Sequence, residues 1–345
     1  VIPYILPLVS GDKSAQAVTL AASVSAWLFP QVFFMMLAAL AVGVLNAYKK
    51  FTAASIGPVL YNLCVVMSMI IFGNKTAEGV RNVAFGILLS AVVYFLIQFY
   101  FARKQFRNYV FSLDIKDSGF RRLARIAIPT LISASIVQLN LMILAGFANT
   151  FDDGSLTAMR FATTTWQLPY GVFAVAVGSV MLPTLSGHFA VNKYKEFSSV
   201  LTRSLRSALF LIIPSAVIFA YMSGDVIRGI FEWGGGHLSD QAIYLTASML
   251  AWYCIAMICH TVIYIMNMSF YAAGMTTVPL INGVVTLFTN TAFCLLLTRF
   301  TNTGATGMPM AYAFSSIISA VLLYAVFAGK LRKCAPRKIP QYLVK

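Results

Sequence analysis

The sequence predicts an all-α, polytopic membrane helix bundle, and three observations carry that prediction. The 345-residue chain is 59% hydrophobic and only 10% charged, whereas soluble domains carry about 25% charged residues. Its apolar residues gather into about nine runs, each long enough to cross a hydrocarbon core ~30 Å thick at ~1.5 Å per residue. Its charges alternate along the chain. Most of the 25 Lys and Arg fall at 49–50, 103–125, 193–206 and 330–345, while Asp12, Glu78, Asp152, Asp153, Asp225, Glu232 and Asp240 lie between those segments. This is the positive-inside pattern. The formal net charge of +15 therefore reads as a basic cytoplasmic rim that attracts anionic lipid headgroups, and not as a nucleic-acid surface.

The expected spans follow in order. VIPYILPLV at the start is too short to cross and reads as the end of a partial N-terminal helix. Span one, 20–48, runs inward from Asp12 to Lys49 and Lys50. Span two, 53–72, runs outward to Lys75 and Glu78, and span three, 82–101, returns to the basic segment 103–125. Span four, 123–148, exits to Asp152 and Asp153. Span five, 156–185, re-enters toward His188–Lys195, and span six, 201–222, exits to the acidic stretch 225–240. Spans seven, eight and nine, at 244–272, 278–297 and 307–328, continue the alternation into a basic tail, GKLRKCAPRK. The segment between spans three and four mixes aromatic, apolar and basic residues, as an interfacial amphipathic connector does.

Two stretches share a pattern: LNAYKKFTAASIGPVLYNL at 45–63 and SFYAAGMTTVPLINGVVTL at 269–287. Each is a helix end, a short turn, small residues, Pro, then a new apolar helix. They lie an even number of spans apart and so share an orientation, which points to parallel repeats about the membrane normal. The expected organisation is 1–103 for the remainder of an N-terminal lobe and 104–122 for the connector. A C-terminal lobe follows at 123–329, then a basic cytoplasmic tail at 330–345.

Polar residues inside the spans recur at helical spacing. In span five, Arg160, Thr164, Gln167 and Gly171 fall on one face, with Thr163 beside them. A cation inside a membrane helix is a functional candidate by default, set against an arginine that merely snorkels to headgroups near Asp152 and Asp153. In span seven, Tyr253, His260, Tyr264, Asn267 and Tyr271 form a continuous polar face. Span eight carries Asn282, Thr286 and Asn290, span two carries Ser55, Pro58 and Asn62, and span four carries Gln138 and Asn140 on different faces. Such faces meet either other helices or water. The five cysteines lie in apolar runs or the basic tail, and adjacent Cys259 and His260 point about 100° apart, so neither a disulfide nor a metal site is expected. There is no P-loop, HExxH or GxSxG, hence no enzyme and no cofactor is expected.

VSAWLFPQVFFMMLAALAVGVLNAYKKFTAASIGPVLYNL, RRLARIAIPTLISASIVQLNLMI and, most specifically, QLPYGVFAVAVGSVMLPTLS resemble the MurJ (MviN) lipid II flippases of the multidrug/oligosaccharidyl-lipid/polysaccharide exporter superfamily. The resemblance implies two pseudo-symmetric lobes around a central cavity in the bacterial plasma membrane. It also implies transfer of an undecaprenyl-pyrophosphate-linked peptidoglycan precursor to the outer leaflet by alternating access. Membrane lipids and other cell-wall synthesis proteins are the implied partners. On this alignment the chain runs from the end of family helix 3 through helix 12, truncated at both ends, and the family's cavity arginines on helices 1 and 2 fall outside it. Thr163 and Thr164 stand where family helix 8 has an acid and Arg, so Arg160, one turn earlier, becomes the implied cation. Leu144 stands at an acidic position some members use for sodium, which sodium coupling would need. With the polar faces read from spacing, the candidate substrate-binding and cavity set is Arg160, Thr163, Thr164, Gln167, Asn62, Gln138, His260, Tyr264 and Asn267. The competing readings are an exporter of other polyprenyl-linked glycans or of drugs, and a non-transporting scaffold for cell-wall assembly.

The charge alternation makes a direct prediction. In a cysteine-free background, Glu78→Cys reacts with an impermeant maleimide added outside intact cells, and Lys50→Cys does not. Strong outside labelling at position 50 would invert the topology.

Overall fold

A computed structural model of the chain describes residues 15–48, 50–74, 76–107, 117–148, 151, 154–232, 237–301 and 303–334. The expected N-terminal stub, Asp12, Lys49, Lys75, Asp152, Asp153, most of the connector and nearly all of the basic tail lie outside the described residues. The described elements are all helical. In order they are α1 (Ala15–Ala47), α2 (Phe51–Phe72), α3 (Ala77–Phe106), α4 (Ser118–Ala148), α5 (Ser155–Pro169), a π-helical segment (Tyr170–Val175) and α6 (Ala176–Ala190). They continue as α7 (Tyr194–Tyr221), α8 (Ser223–Phe231), α9 (Asp240–Ala272), α10 (Thr277–Phe300), a 3-10 turn (Gly304–Thr306) and α11 (Gly307–Cys334). Eight of the described helices are long and apolar enough to cross a membrane, counting Ser155–Ala190 as one. The expected spans coincide with helices to within a residue, span five with a helical run that contains the π segment. Span four lies in α4, whose apolar portion among the described residues is Ser135–Ala148.

Local sequence sets the helix ends. The Thr76 hydroxyl accepts the Gly79 amide at 3.1 Å and Ser239 accepts Ala242 N–H at 3.2 Å, so α3 and α9 begin on a side-chain cap. Glu78 and Asp240 add negative charge to those first turns, complementing the unsatisfied amide dipoles.

Two departures from the span list have physical causes. Span five is not one regular helix. Pro169 ends α5 and the six residues after it, Tyr170–Val175, form a π-helix before α6 resumes. Proline has no N–H to donate and its ring crowds the carbonyl one turn back, so the backbone widens there. The acidic stretch after span six, for which no helix was expected, contains α8. Its Val226, Ile227, Ile230 and Phe231 sit at helical spacing, Ile227 is fully buried, and Phe231 stacks on Phe161 with ring centroids 4.0 Å apart. Arg228 then pairs with Asp240 at 2.9 Å across exposed surface.

The chain forms two compact units, Val1–Leu113 and Asp114–Lys345. In the first, α3 packs along both α1 and α2, which barely touch each other. In the second, α11 packs along both α9 and α10, which again barely touch. The paired stretches at 45–63 and 269–287 are the α1–α2 and α9–α10 junctions, so the weak sequence repeat coincides with a repeated three-helix packing pattern. Within the second unit, α9 is the central strut: it also packs on α5, α6, α7 and α8, and half of its most apolar stretch is buried.

Close helix approach rests on small residues. A Cβ on Gly86 would overlap the Ser68 hydroxyl, and a Cβ on Gly178 would overlap the Tyr264 ring. A Cβ on Gly187 would meet nothing. Alanine has the higher helix propensity, by ~1 kcal/mol, but overpacking opposes it by ~1–3 kcal/mol. Gly178→Ala therefore lowers the detergent melting temperature while Gly187→Ala holds or raises it. A neutral Gly178→Ala would show that α6 and α9 are not in contact at Tyr264.

Candidate functional site

The polar residues of α5 divide by depth. Thr165 and Trp166 are buried, Thr163 is half-buried, and Arg160, Thr164, Gln167 and Gly171 are exposed. The expected stripe is therefore one continuous surface of the second unit. Arg160 makes no ion pair among the described residues. Thr163 points elsewhere, toward the buried Tyr253 hydroxyl, and so supports helix packing more than the stripe.

Below Arg160 the stripe runs into a pocket. It has a volume of about 500 Å³ and is walled by α4, α5, the π segment, α9, α10 and α11. Gln167 and Gly171 form one side; His260, Tyr264 and Asn267 form another; Asn282, Thr286, Tyr312 and Ser319 complete it. The aromatic groups are contiguous. His260 stacks on Tyr312 at 5.0 Å with an interplanar angle of 11°, Trp166 lies 5.6 Å from His260, and Tyr170 lies 6.1 Å from Tyr264. The π segment places Tyr170 and Gly171 at the pocket wall, directly after the proline.

Buried polar groups around the pocket fall into two sets. One set clamps helices. Asn290 donates to Asn140 at 2.7 Å, tying α10 to α4, and Asn282 donates to Ser319 at 2.7 Å, tying α10 to α11. The other set has buried atoms with no protein partner: Trp166 Nε1, His260 Nε2, Asn267 Oδ1 and Asn282 Oδ1, all from residues that line the pocket. Buried polar atoms are nearly always hydrogen-bonded. These four are sealed from solvent behind the pocket surface, and the cavity itself, within the range of small-molecule sites, has Gln167, Tyr264 and Thr286 among its polar lining residues.

Of the expected site residues, the structure gathers Gln167, His260, Tyr264 and Asn267 at this pocket, with Arg160 and Thr164 on the stripe above. Gln138 is exposed on α4 and does not line it; Asn140 on the neighbouring face does. Asn62 lies in the other unit, exposed on α2 together with Ser55 and Pro58. Trp166, Tyr170, Asn282, Tyr312 and Ser319 belong to the pocket but not to the expected site. Part of that was readable: Tyr312, Ser316 and Ser319 step by four and three along α11. Trp166 gave no signal, because a tryptophan in an apolar run reads as core.

A family model described as "Lipid II flippase MurJ" matches residues 1–345. The chain belongs to the MurJ family. A probable lipid II flippase MurJ of Rhizobium tropici is 28% identical over 313 residues, covering 90% of this chain and 58% of that protein. A probable MurJ of Treponema pallidum is 23% identical over 325 residues, covering 93% of this chain and 60% of that protein. The chain thus spans less than two thirds of these curated relatives. Among solved structures, a MurJ flippase in an inward closed conformation superposes with a TM-score of 0.76 at 23% identity, covering 95% of this chain and 67% of that one. At these identities the structural likeness establishes the fold. Membership of the MurJ family, with eight helices able to span a bilayer, makes this a multi-pass protein of the bacterial inner membrane.

Proposed function

We propose that the protein carries an undecaprenyl-pyrophosphate-linked peptidoglycan precursor from the inner to the outer leaflet by alternating access, as a transporter and not an enzyme. Relatives named lipid II flippase, among them one from Burkholderia cenocepacia, support the substrate class. The observation that carries the reading within this chain is Arg160. It is a cation with no ion-pair partner among the described residues, exposed on a stripe with Thr164 and Gln167 that leads to a polar pocket. A guanidinium binds phosphate oxygens through two parallel hydrogen bonds, and exclusion of water strengthens the contact. Membrane lipids surround the bundle, and other cell-wall synthesis proteins are candidate partners.

Export of cationic drugs is the weaker reading, because no carboxylate lines the pocket and Arg160 repels cations. Sodium coupling at the family's acidic position has little support here, since Leu144 occupies it and is fully buried in apolar surroundings.

Charge-assisted hydrogen bonds contribute ~1.5–3 kcal/mol, or about tenfold to a hundredfold in affinity. Arg160→Ala therefore weakens precursor binding and flipping by roughly that factor. Arg160→Lys keeps the charge without the fork and retains partial activity. Thr164→Arg in the Ala background restores some of it from one turn along. Normal flipping by Arg160→Ala at wild-type protein levels would reduce the residue to an interfacial anchor.

A further inference from the structure

The first unit holds a buried polar contact that the proposed site does not use. Pro58 is the eighth residue of α2, well past its first turn, and has no N–H. The helix bond it would have made runs to the carbonyl four residues back, which belongs to Ala54. That carbonyl is not left bare. Gln98 of α3 donates from Nε2 to the Ala54 carbonyl oxygen at 3.1 Å. Both residues are buried, so bulk water does not compete for the bond. The helix α2 is long and apolar enough to span, and inside a membrane a freed carbonyl must be met by another group. Pro30, Pro169, Pro183 and Pro214 free the corresponding carbonyls of Ala26, Thr165, Ser179 and Phe210. Among the described residues, no side chain of another helix bonds any of those four. The contact at Pro58 is therefore built by its neighbours and is not a general response to proline.

The surroundings are shaped to it. A Cβ on Gly57 would overlap the Gln98 amide and the Tyr94 ring, so the glycine opens the space that Gln98 enters. Tyr94, one turn before Gln98 on α3, lies against Tyr61 with ring centroids 5.9 Å apart. The Tyr61 hydroxyl accepts from Gln31 of α1 at 2.8 Å. So α3 grips α2 at Gly57, and α1 holds it three residues beyond the proline. Gln98 Oε1 is sealed and has no protein partner, which raises the energy of this arrangement relative to one that frees the amide. A backbone bond from a residue to the fourth one back breaks only when the helix unwinds. A side-chain bond can let go while both helices stay folded. We infer that Gly57–Pro58 is a hinge in α2 and that Gln98 is its latch, a positioning residue that fixes the angle of α2 through the Ala54 carbonyl. The use of the hinge in transport rests on the proposed function, whereas the latch rests on the first unit alone.

The test is a double-mutant cycle on the purified protein. Gln98→Met keeps the length of the side chain and removes the donor. Pro58→Ala, at an exposed position, restores the N–H and lets the backbone take the Ala54 carbonyl. Gln98→Met is expected to lower the detergent melting temperature by several degrees in the wild-type background. In Pro58→Ala, where the latch has nothing to hold, it leaves the melting temperature unchanged or raises it. Equal losses in both backgrounds show that Gln98 does not act through Pro58 and overturn the latch. Should Gln98→Met fail to fold, recovery in the Pro58→Ala background supports the latch and failure in both overturns it. Transport separates a hinge from a fixed brace. Pro58→Ala slows precursor flipping in proteoliposomes severalfold and leaves precursor affinity unchanged. Flipping at the wild-type rate by Pro58→Ala overturns the hinge even if the melting cycle is coupled. If the wild-type protein neither binds nor flips the precursor, the transport reading falls, and the melting cycle still decides the latch.

Discussion

An amide or imidazole inside a bilayer has no bulk water to return to, so it must meet another polar group or a cavity that holds one. The second unit is organised by that constraint. Its helices α4, α9, α10 and α11 each carry polar residues at helical spacing on an otherwise apolar surface. Packed together, they sort those residues into two outcomes. Asn140, Asn290, Asn282 and Ser319 are spent on each other at 2.7 Å, locking three helices in register. Interhelical bonds of this type contribute only ~0.6–2 kcal/mol each in membranes, so their main effect is specificity of packing. Buried atoms of Trp166, His260 and Asn267, together with the Oδ1 atoms of Asn282 and Asn290, have no protein partner.

The shape of that pocket depends on backbone irregularity in the α5–α6 segment. An unbroken α-helix would carry its stripe straight past α9. Pro169 and the π segment after it widen the turn where Tyr170 and Gly171 meet the pocket. Seven residues beyond Gly171, the absence of a side chain on Gly178 lets α6 close against Tyr264. The same thirty-residue stretch thus supplies an exposed cation, a wide turn with a gap, and a tight contact, in that order. Buried clusters lie on either side, one centred on Trp166, Met249 and Tyr253 and the other on Leu185, Phe197 and Phe270.

The helices were legible because long apolar runs and alternating charge leave few alternatives. Of the regular polar spacing on α9, His260, Tyr264 and Asn267 line the pocket, whereas Tyr253 is buried in the apolar core. What the spacing does not encode is which polar residues pair off. Asn290 and Asn267 look alike on their own helices. Asn290 donates to Asn140, 150 positions away, and no local pattern reports that. Gln138 was the expected site residue on α4, but packing leaves it exposed and turns Asn140 inward to the pocket. The helix α8 was hidden because Asp225, Arg228 and Glu232 suggested a loop, whereas its apolar residues turn inward around Ile227. The wide turn at Tyr170 follows from Pro169 only once the neighbouring helices hold the segment in place.

The central claim is that one face of α9 borders the pocket while another, carrying Ala256 and Ile265, is sealed in protein. Single cysteines along α9, in a cysteine-free background, tested with a small water-soluble maleimide, address it most directly. Positions 260, 264 and 267 react, whereas 256 and 265, both fully buried, do not. Reaction at 256 and 265 as fast as at 264 and 267, or silence at all five, would contradict the account and return the face to helix packing.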